Sequence, residues 1–197
     1  WDVALGFNTG ARDMILVNHE GRLVPQDISP KRKAITHAIS LADMNRDGRL
    51  DIIESVSIFG LTGPGRILLN TTQAGDSKCT FVDAPFTYDH QSFGMGAAIG
   101  DIDQDGWLDV YNASAGRDYL MFGKPDGSYE DRTFLAGAVH EWGGHDLRLQ
   151  WSPTIVDINA DGRLDIFARH GHLGDEEIFG LGAHYAEPNL TYLQNAD

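Results

Sequence analysis

The sequence has 197 residues, of which 42% are hydrophobic and 10% aromatic, a balance typical of a folded globular protein. Its formal net charge of −14 leaves no basic surface to neutralise phosphates, which argues against nucleic acid as a partner. No run approaches the roughly 18 apolar residues of a transmembrane helix, and the single cysteine, Cys79, cannot form an internal disulfide. We expect Cys79 to act as a small buried hydrophobe rather than to bond to a missing segment.

Short apolar segments, rich in β-branched and aromatic residues and separated by turn residues, favour strands along the chain. In chain order the predicted strands cover residues 1–5, 12–18, 38–42, 51–58, 66–70, 79–82, 96–100, 109–113, 118–122, 128–132, 152–156, 165–169 and 190–195. The small residues of 38–42, 96–100 and 152–156 suit tightly packed inner strands.

An Asp-rich loop follows each inner strand and aligns without a gap at residues 43–52, 101–110 and 157–166. The three loops start 58 and 56 residues apart, so one supersecondary unit is copied in tandem. We predict complete units at residues 34–90 and 91–148, and incomplete units at 1–33 and 149–197.

A four-stranded sheet of this kind cannot bury both of its faces alone, whereas copies packed face to face can. The sequence therefore predicts an all-β fold: a partial β-propeller over residues 1–197, with four-stranded blades of which three to four are present. Its period exceeds the roughly 40–50 residues of WD40 and kelch blades. Because the first and last units are incomplete, we expect a longer parent chain or a partner chain to supply the remaining blades.

The Asp-rich loops carry Asp or Asn at positions 1, 3, 5 and 9, and Gly at position 6. This pattern places hard oxygen ligands on a tightly turned backbone, which suits the roughly 6–8 oxygen ligands of Ca²⁺, and the loops lack the His or Cys of a zinc site. Position 7 varies, as expected of a residue that contributes only its backbone carbonyl. We predict about three calcium ions with the ligands Asp43, Asn45, Asp47, Arg49 and Asp51; Asp101, Asp103, Asp105, Trp107 and Asp109; and Asp157, Asn159, Asp161, Arg163 and Asp165. Position 8 is Leu50, Leu108 or Leu164, and we expect these leucines to turn into the core.

The first loop also satisfies the EF-hand pattern, with Glu54 at position 12. The other loops carry Asn112 and Ala168 there, and predicted strands, not helices, flank all three. We therefore interpret the first loop as a blade loop like the other two.

The pattern Asp-x-Asp/Asn-x-Asp-Gly-x-Leu-Asp between strands, at this spacing, resembles the FG-GAP/VCBS repeats of integrin α-subunit propellers and many secreted proteins. Residues 69–70 and 127–133 also resemble downstream strands of that family. The resemblance implies a seven-bladed extracellular propeller with structural calcium, working in adhesion, ligand binding or scaffolding on a protein or glycan ligand. Asn45 and Asn159 depart from Asp at position 3, but Asn still offers a carbonyl oxygen, so we expect binding with one charge less.

Two other functions compete with this one. A lectin-like propeller would contact saccharide through rim residues such as Trp142, Trp151 and Tyr185. A hydrolase would need its own rim site, and the sequence has no nucleophile elbow, P-loop or dinucleotide fingerprint, so we expect no enzymatic activity.

Two further sets of residues are candidate sites. A transition-metal site would draw on His140, His145, Asp146, His170, His172 and residues 175–177, which we interpret as surface loops. The Asn-x-Ser/Thr sequons at Asn70, Asn112 and Asn189 are possible glycosylation sites and slightly favour a secreted, cell-surface or extracellular protein.

Overall fold

The computed structural model describes residues 2–7, 12–28, 35–57, 65–85, 93–138, 149–171 and 189–195. Within these ranges the chain forms fourteen strands and no helix, which confirms the predicted all-β class. It follows that this part of the chain holds no helix with the length and hydrophobicity of a membrane span.

The strands form four antiparallel sheets in which each strand pairs with its neighbours in sequence. Sheet 1 contains β1 (Val3–Leu5), β2 (Met14–His19) and β3 (Arg22–Asp27). Sheet 2 contains β4 (Ile35–Ala42), β5 (Asp51–Ser57), β6 (Gly65–Asn70) and β7 (Phe81–Asp83). Sheet 3 contains β8 (Phe93–Gly100), β9 (Asp109–Ala115), β10 (Tyr119–Gly123) and β11 (Tyr129–Asp131), and sheet 4 contains β12 (Gln150–Val156), β13 (Asp165–His170) and β14 (Leu190–Tyr192). One sheet lies in each of the four segments delimited by the sequence repeat.

Sheet 3 is covered on both faces, and β9 shows this most clearly. Six of its seven residues are buried without alternation, as expected of a strand enclosed on both sides. Val110 packs with Ile53 of sheet 2 and with Met44 of the loop between β4 and β5, whereas Tyr111 on the opposite face packs with Ile166 of sheet 4. The repeated sheets therefore pack face to face, as predicted.

Small residues on the first strand of sheet 3 permit this close packing. A Cβ atom on Gly96 would lie 2.9 Å from Cδ of Pro153, and one on Gly100 would lie 2.7 Å from Cγ2 of Ile155. Real Cβ atoms do not approach neighbours so closely, so these positions of β8 require glycine for β12 to pack against it.

Two sequence-based expectations were incomplete or wrong. Strand β3 was not predicted, although it forms a two-residue hairpin with β2 in which Glu20 and Gly21 have φ values of 51° and 86°.

Leu50 is 58% exposed and does not turn into the core. The equivalent Leu108 packs on the cluster that contains Met44 and Ile53.

Polar side chains also connect adjacent sheets. Thr36 of sheet 2 donates a 2.7 Å hydrogen bond to the buried carboxylate of Asp13, which precedes β2 of sheet 1. Asp118 holds the equivalent position before β10 in sheet 3. Its Oδ2 lies 3.1 Å from the hydroxyl of Tyr111, which is 2.9 Å from Oε1 of Gln150 in sheet 4.

Opposing influences act on the pKa of the Asp118 carboxyl group. Burial raises the pKa of Asp118 to about 7, whereas hydrogen bonds from the N–H of Ser114 and the hydroxyl of Tyr111 act in the opposite direction. The phenol of Tyr111 has one proton, so it can donate to Asp118 or to Gln150 but not to both at once. Burial between sheets 3 and 4 outweighs these hydrogen bonds and favours the neutral carboxyl group.

We expect Asp118 to make the protein less stable as pH rises. The folded-state pKa of Asp118 lies above the ordinary value of 3.8. The contribution of Asp118 to the free energy of unfolding is therefore fully present below about pH 4 and is lost as pH rises through about 7. The free energy of unfolding of wild type relative to Asp118→Asn should fall across this window, by at most about 1.4 kcal/mol per pH unit. Urea denaturation of both proteins from pH 4 to 8 measures this difference, and a constant difference would contradict the assignment.

Candidate metal centres

The three Asp-rich loops (residues 43–51, 101–109 and 157–165, the first, second and third loops) share one backbone conformation. Position 6 has φ of 83°, 90° and 86° at Gly48, Gly106 and Gly162. Such left-handed values favour glycine, which accounts for the invariant residue within the repeat. In each loop the N–H of this glycine donates to the carboxylate at position 1, over 2.8, 3.0 and 2.9 Å.

The carboxylate at position 9 ties each loop to its sheet. In the second loop Asp109 is fully buried: its Oδ2 accepts from the N–H of Ile102 at 2.7 Å, and its Oδ1 accepts from the N–H of Gly123 at 3.0 Å. Equivalent pairs of bonds are made by Asp51 with Met44 and Asn70, and by Asp165 with Ile158 and Gln194. We call this pair of bonds the carboxylate link.

Half of the same link occurs in sheet 1. Asp2 accepts a 2.7 Å hydrogen bond from the N–H of Asn18, in the position that Gly123 occupies relative to Asp109. This bond places Asp2 in sheet 1 at the position that Asp109 has in sheet 3. The sequence pattern indicated position 9 only as a metal ligand and did not reveal its role in joining strands.

The second loop brings three carboxylates together. Oxygen atoms of Asp101, Asp103 and Asp109 all lie within 4.8 Å of one another, an arrangement that could hold a metal ion. Oδ1 of Asp101 is buried and accepts no hydrogen bond from any residue in the described ranges. Hard oxygen donors with an unused buried lone pair fit a calcium ion.

The electrostatics of this cluster also favour a cation. Burial raises the pKa of Asp109 to about 7. The hydrogen bonds of its carboxylate link act in the opposite direction, and the charges of Asp103 and Asp101 raise the pKa further. Arg132, from outside the loop, offsets part of the charge of Asp103 at 3.2 Å. A bound cation would relieve both the desolvation of Asp109 and the repulsion among the three carboxylates.

The first and third loops differ from the second in their position 5 carboxylates. In the third loop Nδ2 of Asn159 donates to Oδ2 of Asp161 at 2.9 Å, and Arg163 pairs with the same oxygen at 2.5 Å. In the first loop Asn45 and Arg49 contact Asp47 in the same way. Internal donors therefore engage these carboxylates, and within the described residues only the second loop shows a three-carboxylate cluster.

Position 7 has a side-chain role that the sequence pattern did not reveal. The pattern predicted only a backbone carbonyl ligand there, but Nε of Arg49 donates to the carbonyl of Asn70 at 2.7 Å, and Nε of Arg163 donates to the carbonyl of Gln194 at 3.2 Å. The Asp at position 5 together with the Arg at position 7 is the signal that could have identified these ion pairs. The second loop carries Trp107 at this position.

Neighbouring loops contact each other through position 4, whose φ is 60° at Arg46 and 57° at Gln104. The guanidinium of Arg46 lies 5.3 Å from the ring centre of Trp107, a cation–π distance. Nε2 of Gln104 donates to the carbonyl of Gly162 in the third loop at 2.8 Å. Position 4 of the third loop, Ala160, has the same left-handed φ of 60°, so the backbone conformation is common to all three loops and only the first two carry a side chain that reaches the next loop.

A comparison with protein families identifies this segment. Residues 101–168 match the family model described as the FG-GAP-like repeat. This segment, about a third of the chain, is similar to an FG-GAP-like repeat. The match runs from the first ligand position of the second loop to the middle of β13, so it includes both the second and the third loop. It confirms the resemblance expected from the sequence, and a search of curated proteins found no match.

The local structure of the first loop differs from that of an EF-hand. Strands β4 and β5, not helices, flank this loop. Glu54 lies on β5, is completely buried and pairs with Nε of Arg66 at 2.5 Å. Glu54 is therefore a partner of Arg66 and not a twelfth-position EF-hand ligand.

The three sequons differ in accessibility. Asn112 is 1% exposed and its Nδ2 lies 3.4 Å from Oγ of Ser55, so the packing of sheets 2 and 3 leaves no space for a glycan; this predicted site is incompatible with the fold. Asn70 is half-buried and its Nδ2 donates to the carbonyl of Leu50 at 3.1 Å. Asn189 is exposed and stays a predicted glycosylation site.

The other candidate residues lie mostly outside the described ranges. These are His140, Trp142, His145, Asp146, His172, residues 175–177 and Tyr185. Trp151 is half-buried on β12, and its Nε1 donates to the carbonyl of Gly171 at 2.6 Å. His170 is half-buried on β13.

We expect the carboxylate link to stabilise the FG-GAP-like unit even without metal. Asp165→Ala should lower the free energy of unfolding by more than the loss of an exposed carboxylate does, because it leaves two backbone N–H groups without their acceptor. Asp161→Ala removes an exposed carboxylate from the same loop and should cost less than about 1 kcal/mol. Urea denaturation with a chelator present measures both values, and equal losses would show that position 9 has no such structural role.

Proposed function

We propose that this chain is a calcium-stabilised, non-enzymatic module of an extracellular β-propeller that acts in adhesion, ligand binding or scaffolding. The observation that carries this proposal is the carboxylate cluster of the second loop, inside the segment that matches an FG-GAP-like repeat. The complete ring would contain seven blades, and its ligand would be a protein or a glycan.

Calcium fits the second loop better than magnesium or zinc. Asp101, Asp103, Asp105 and Asp109 supply carboxylate oxygens, Trp107 would add its backbone carbonyl, and the loop contains no His or Cys. Magnesium keeps more of its water shell and requires near-octahedral geometry, whereas calcium accepts many protein oxygens in a flexible arrangement. The ion would supply the positive charge that the second loop itself lacks.

The three loops should differ in affinity. Calcium affinity in such loops increases with the number of charged ligands. The second loop has Asp at all four side-chain ligand positions, whereas the first and third loops have Asn at position 3 and an Arg paired with position 5. We therefore assign the tightest calcium site to the second loop and weaker sites to the other two.

The calcium would have a structural role, since the ligands are connected to the sheets. Asp109 joins the start of the second loop to the end of β10, and Gln104 joins this loop to the third one. Any ion that binds only the folded loop stabilises the fold by mass action. Face-to-face packing of sheets 2, 3 and 4 supports the propeller as the setting for these loops.

Trp107 offers a direct measurement of binding in the second loop. Terbium, a calcium substitute, should luminesce when Trp107 is excited, and calcium should compete the signal away. Asp103→Asn should weaken calcium binding at this site by on the order of tenfold, because it removes one of four charges. The matched control, Asn45→Asp in the first loop, should not change the affinity reported by Trp107.

The outcome of thermal unfolding provides a second readout. Calcium should raise the Tm of wild type, and Asp103→Asn should shift this increase to higher calcium concentration. The Trp107→Phe variant should keep the increase in Tm and lose the luminescence. The proposal would be wrong if calcium neither raised the Tm of wild type nor displaced terbium.

A further inference from the structure

The second and third loops contact each other at their tips. We call residues 103–105 the second tip and residues 159–162 the third tip. Nε2 of Gln104, at position 4 of the second loop, donates a 2.8 Å hydrogen bond to the carbonyl of Gly162, at position 6 of the third loop. The donor and the acceptor are 58 residues apart in sequence, so this bond joins two copies of the repeat.

Both ends of this bond lie between predicted calcium ligands. Gln104 stands directly between ligand positions 3 and 5 of the second loop, and Gly162 stands directly between ligand positions 5 and 7 of the third loop. An ion that binds the neighbouring positions also limits the motion of the residue between them. Calcium in the second loop would therefore hold the donor, and calcium in the third loop would hold the acceptor.

The two tips are exposed, whereas the ends of their loops are fixed. All residues of the second tip and of the third tip are exposed to solvent. Asp109 and Asp165, which fix the loop ends through the carboxylate link, are buried. Exposed segments with few packing contacts open at a lower free energy than the core. The tips are therefore the parts of the loops whose freedom a bound ion can reduce most.

Position 4 shows that this contact is particular to the second and third loops. Its φ is 60°, 57° and 60° at Arg46, Gln104 and Ala160, so the backbone is the same in all three loops. Arg46 contacts the aromatic ring of Trp107, whereas Gln104 contacts a main-chain carbonyl. Ala160 has no polar side chain. Among the described residues, a hydrogen bond from position 4 to the backbone of the next loop therefore joins the second loop to the third.

We propose that the second and third loops bind calcium with positive cooperativity, coupled by the hydrogen bond from Gln104 to the carbonyl of Gly162. This inference rests on the calcium binding proposed above. The ion in the second loop orders the second tip, and Gln104 then orders the third tip before that loop binds its own ion. A ligand that binds an already ordered segment loses less conformational entropy, which raises its affinity.

The order of binding determines where the coupling is observed. The second loop is the tighter site, so its ion binds first. The cooperativity then appears as a higher calcium affinity of the third loop when the second loop is occupied. Coupling between two binding sites is reciprocal, so loss of the Gln104 donor removes it in both directions.

A terbium reporter in the third loop tests the proposal. The Trp107→Phe, Arg163→Trp protein has its sensitiser at position 7 of the third loop, and Trp107→Phe alone measures the background from the other tryptophans. Calcium displaces terbium and so reports the calcium affinity of the third loop. Asp103→Ala together with Asp105→Ala removes two ligands of the second loop. In the reporter protein this pair of changes should lower the affinity of the third loop roughly three- to tenfold, the contribution of one neutral hydrogen bond.

The decisive comparison repeats this measurement after Gln104→Met, which removes the donor and keeps the length of the side chain. The two second-loop changes should then alter the calcium affinity of the third loop by less than about twofold, because sites that no longer interact behave additively. An effect as large as in the reporter protein would overturn the proposal. So would an affinity of the third loop that does not depend on the ligands of the second loop.

A change in the first loop provides the matched control. Arg46→Met removes the other position 4 side chain that reaches a neighbouring loop, and it should leave the dependence of the third loop on the second loop unchanged. Calorimetric calcium titration of proteins with the natural Trp107 and Arg163 measures the coupling without the reporter changes. There Gln104→Met should weaken the later binding step, and an unchanged later step would contradict the coupling.

These outcomes separate the coupling from the proposed function. Calcium that displaces terbium from the third loop independently of Gln104 would overturn the coupling and leave calcium binding intact. Calcium that displaced terbium from neither loop would overturn both. Circular dichroism of each variant with a chelator present checks that it is folded, so that a loss of affinity is not a loss of structure.

Discussion

The carboxylate link at position 9 is the interaction on which the repeated unit depends. One buried aspartate accepts hydrogen bonds from the start of its loop and from the end of the third strand, so three parts of the unit are fixed by one side chain. The link occurs complete in sheets 2, 3 and 4, and Asp2 forms half of it in sheet 1. Because the carboxylate link holds the loop backbone at both ends, it also positions the other candidate ligands of the loop.

The three Asp-rich loops differ in how the negative charge of their carboxylates is offset. In the first and third loops Arg49 and Arg163 neutralise part of the acidic cluster, and the amides of Asn45 and Asn159 donate to the same carboxylates. The second loop has no such arginine at position 7, and the pKa of Asp109 is raised by burial and by its acidic neighbours. An arginine within the loop therefore offsets the carboxylate charge in the first and third loops, whereas the second loop, with the same backbone conformation, is suited to a metal ion.

The repeat made much of the fold predictable from the sequence, because three aligned loops define the spacing of strands around them. Strand β3 was missed because its residues are largely exposed and lack the apolar pattern of a buried strand. The exposure of Leu50 and the burial of Asn112 depend on which sheet lies alongside, which the local sequence does not encode. The arginine contacts were missed because a metal-ligand pattern describes oxygen donors and not the cations that compete for them.

The polar contacts between sheets have a consequence for how such a chain can gain or lose a unit. Asp13 faces Thr36 and Asp118 faces Gln150 through Tyr111, whereas sheets 2 and 3 have Gly65 and Gly94 at the two equivalent positions. Deleting one unit by recombination, so that sheet 3 follows sheet 1, would place the buried carboxylate of Asp13 opposite Gly94. Joining sheet 2 to sheet 4 would leave Gln150 opposite Gly65. The polar contacts between the sheets therefore favour this order of the units, although the backbones of the units are alike.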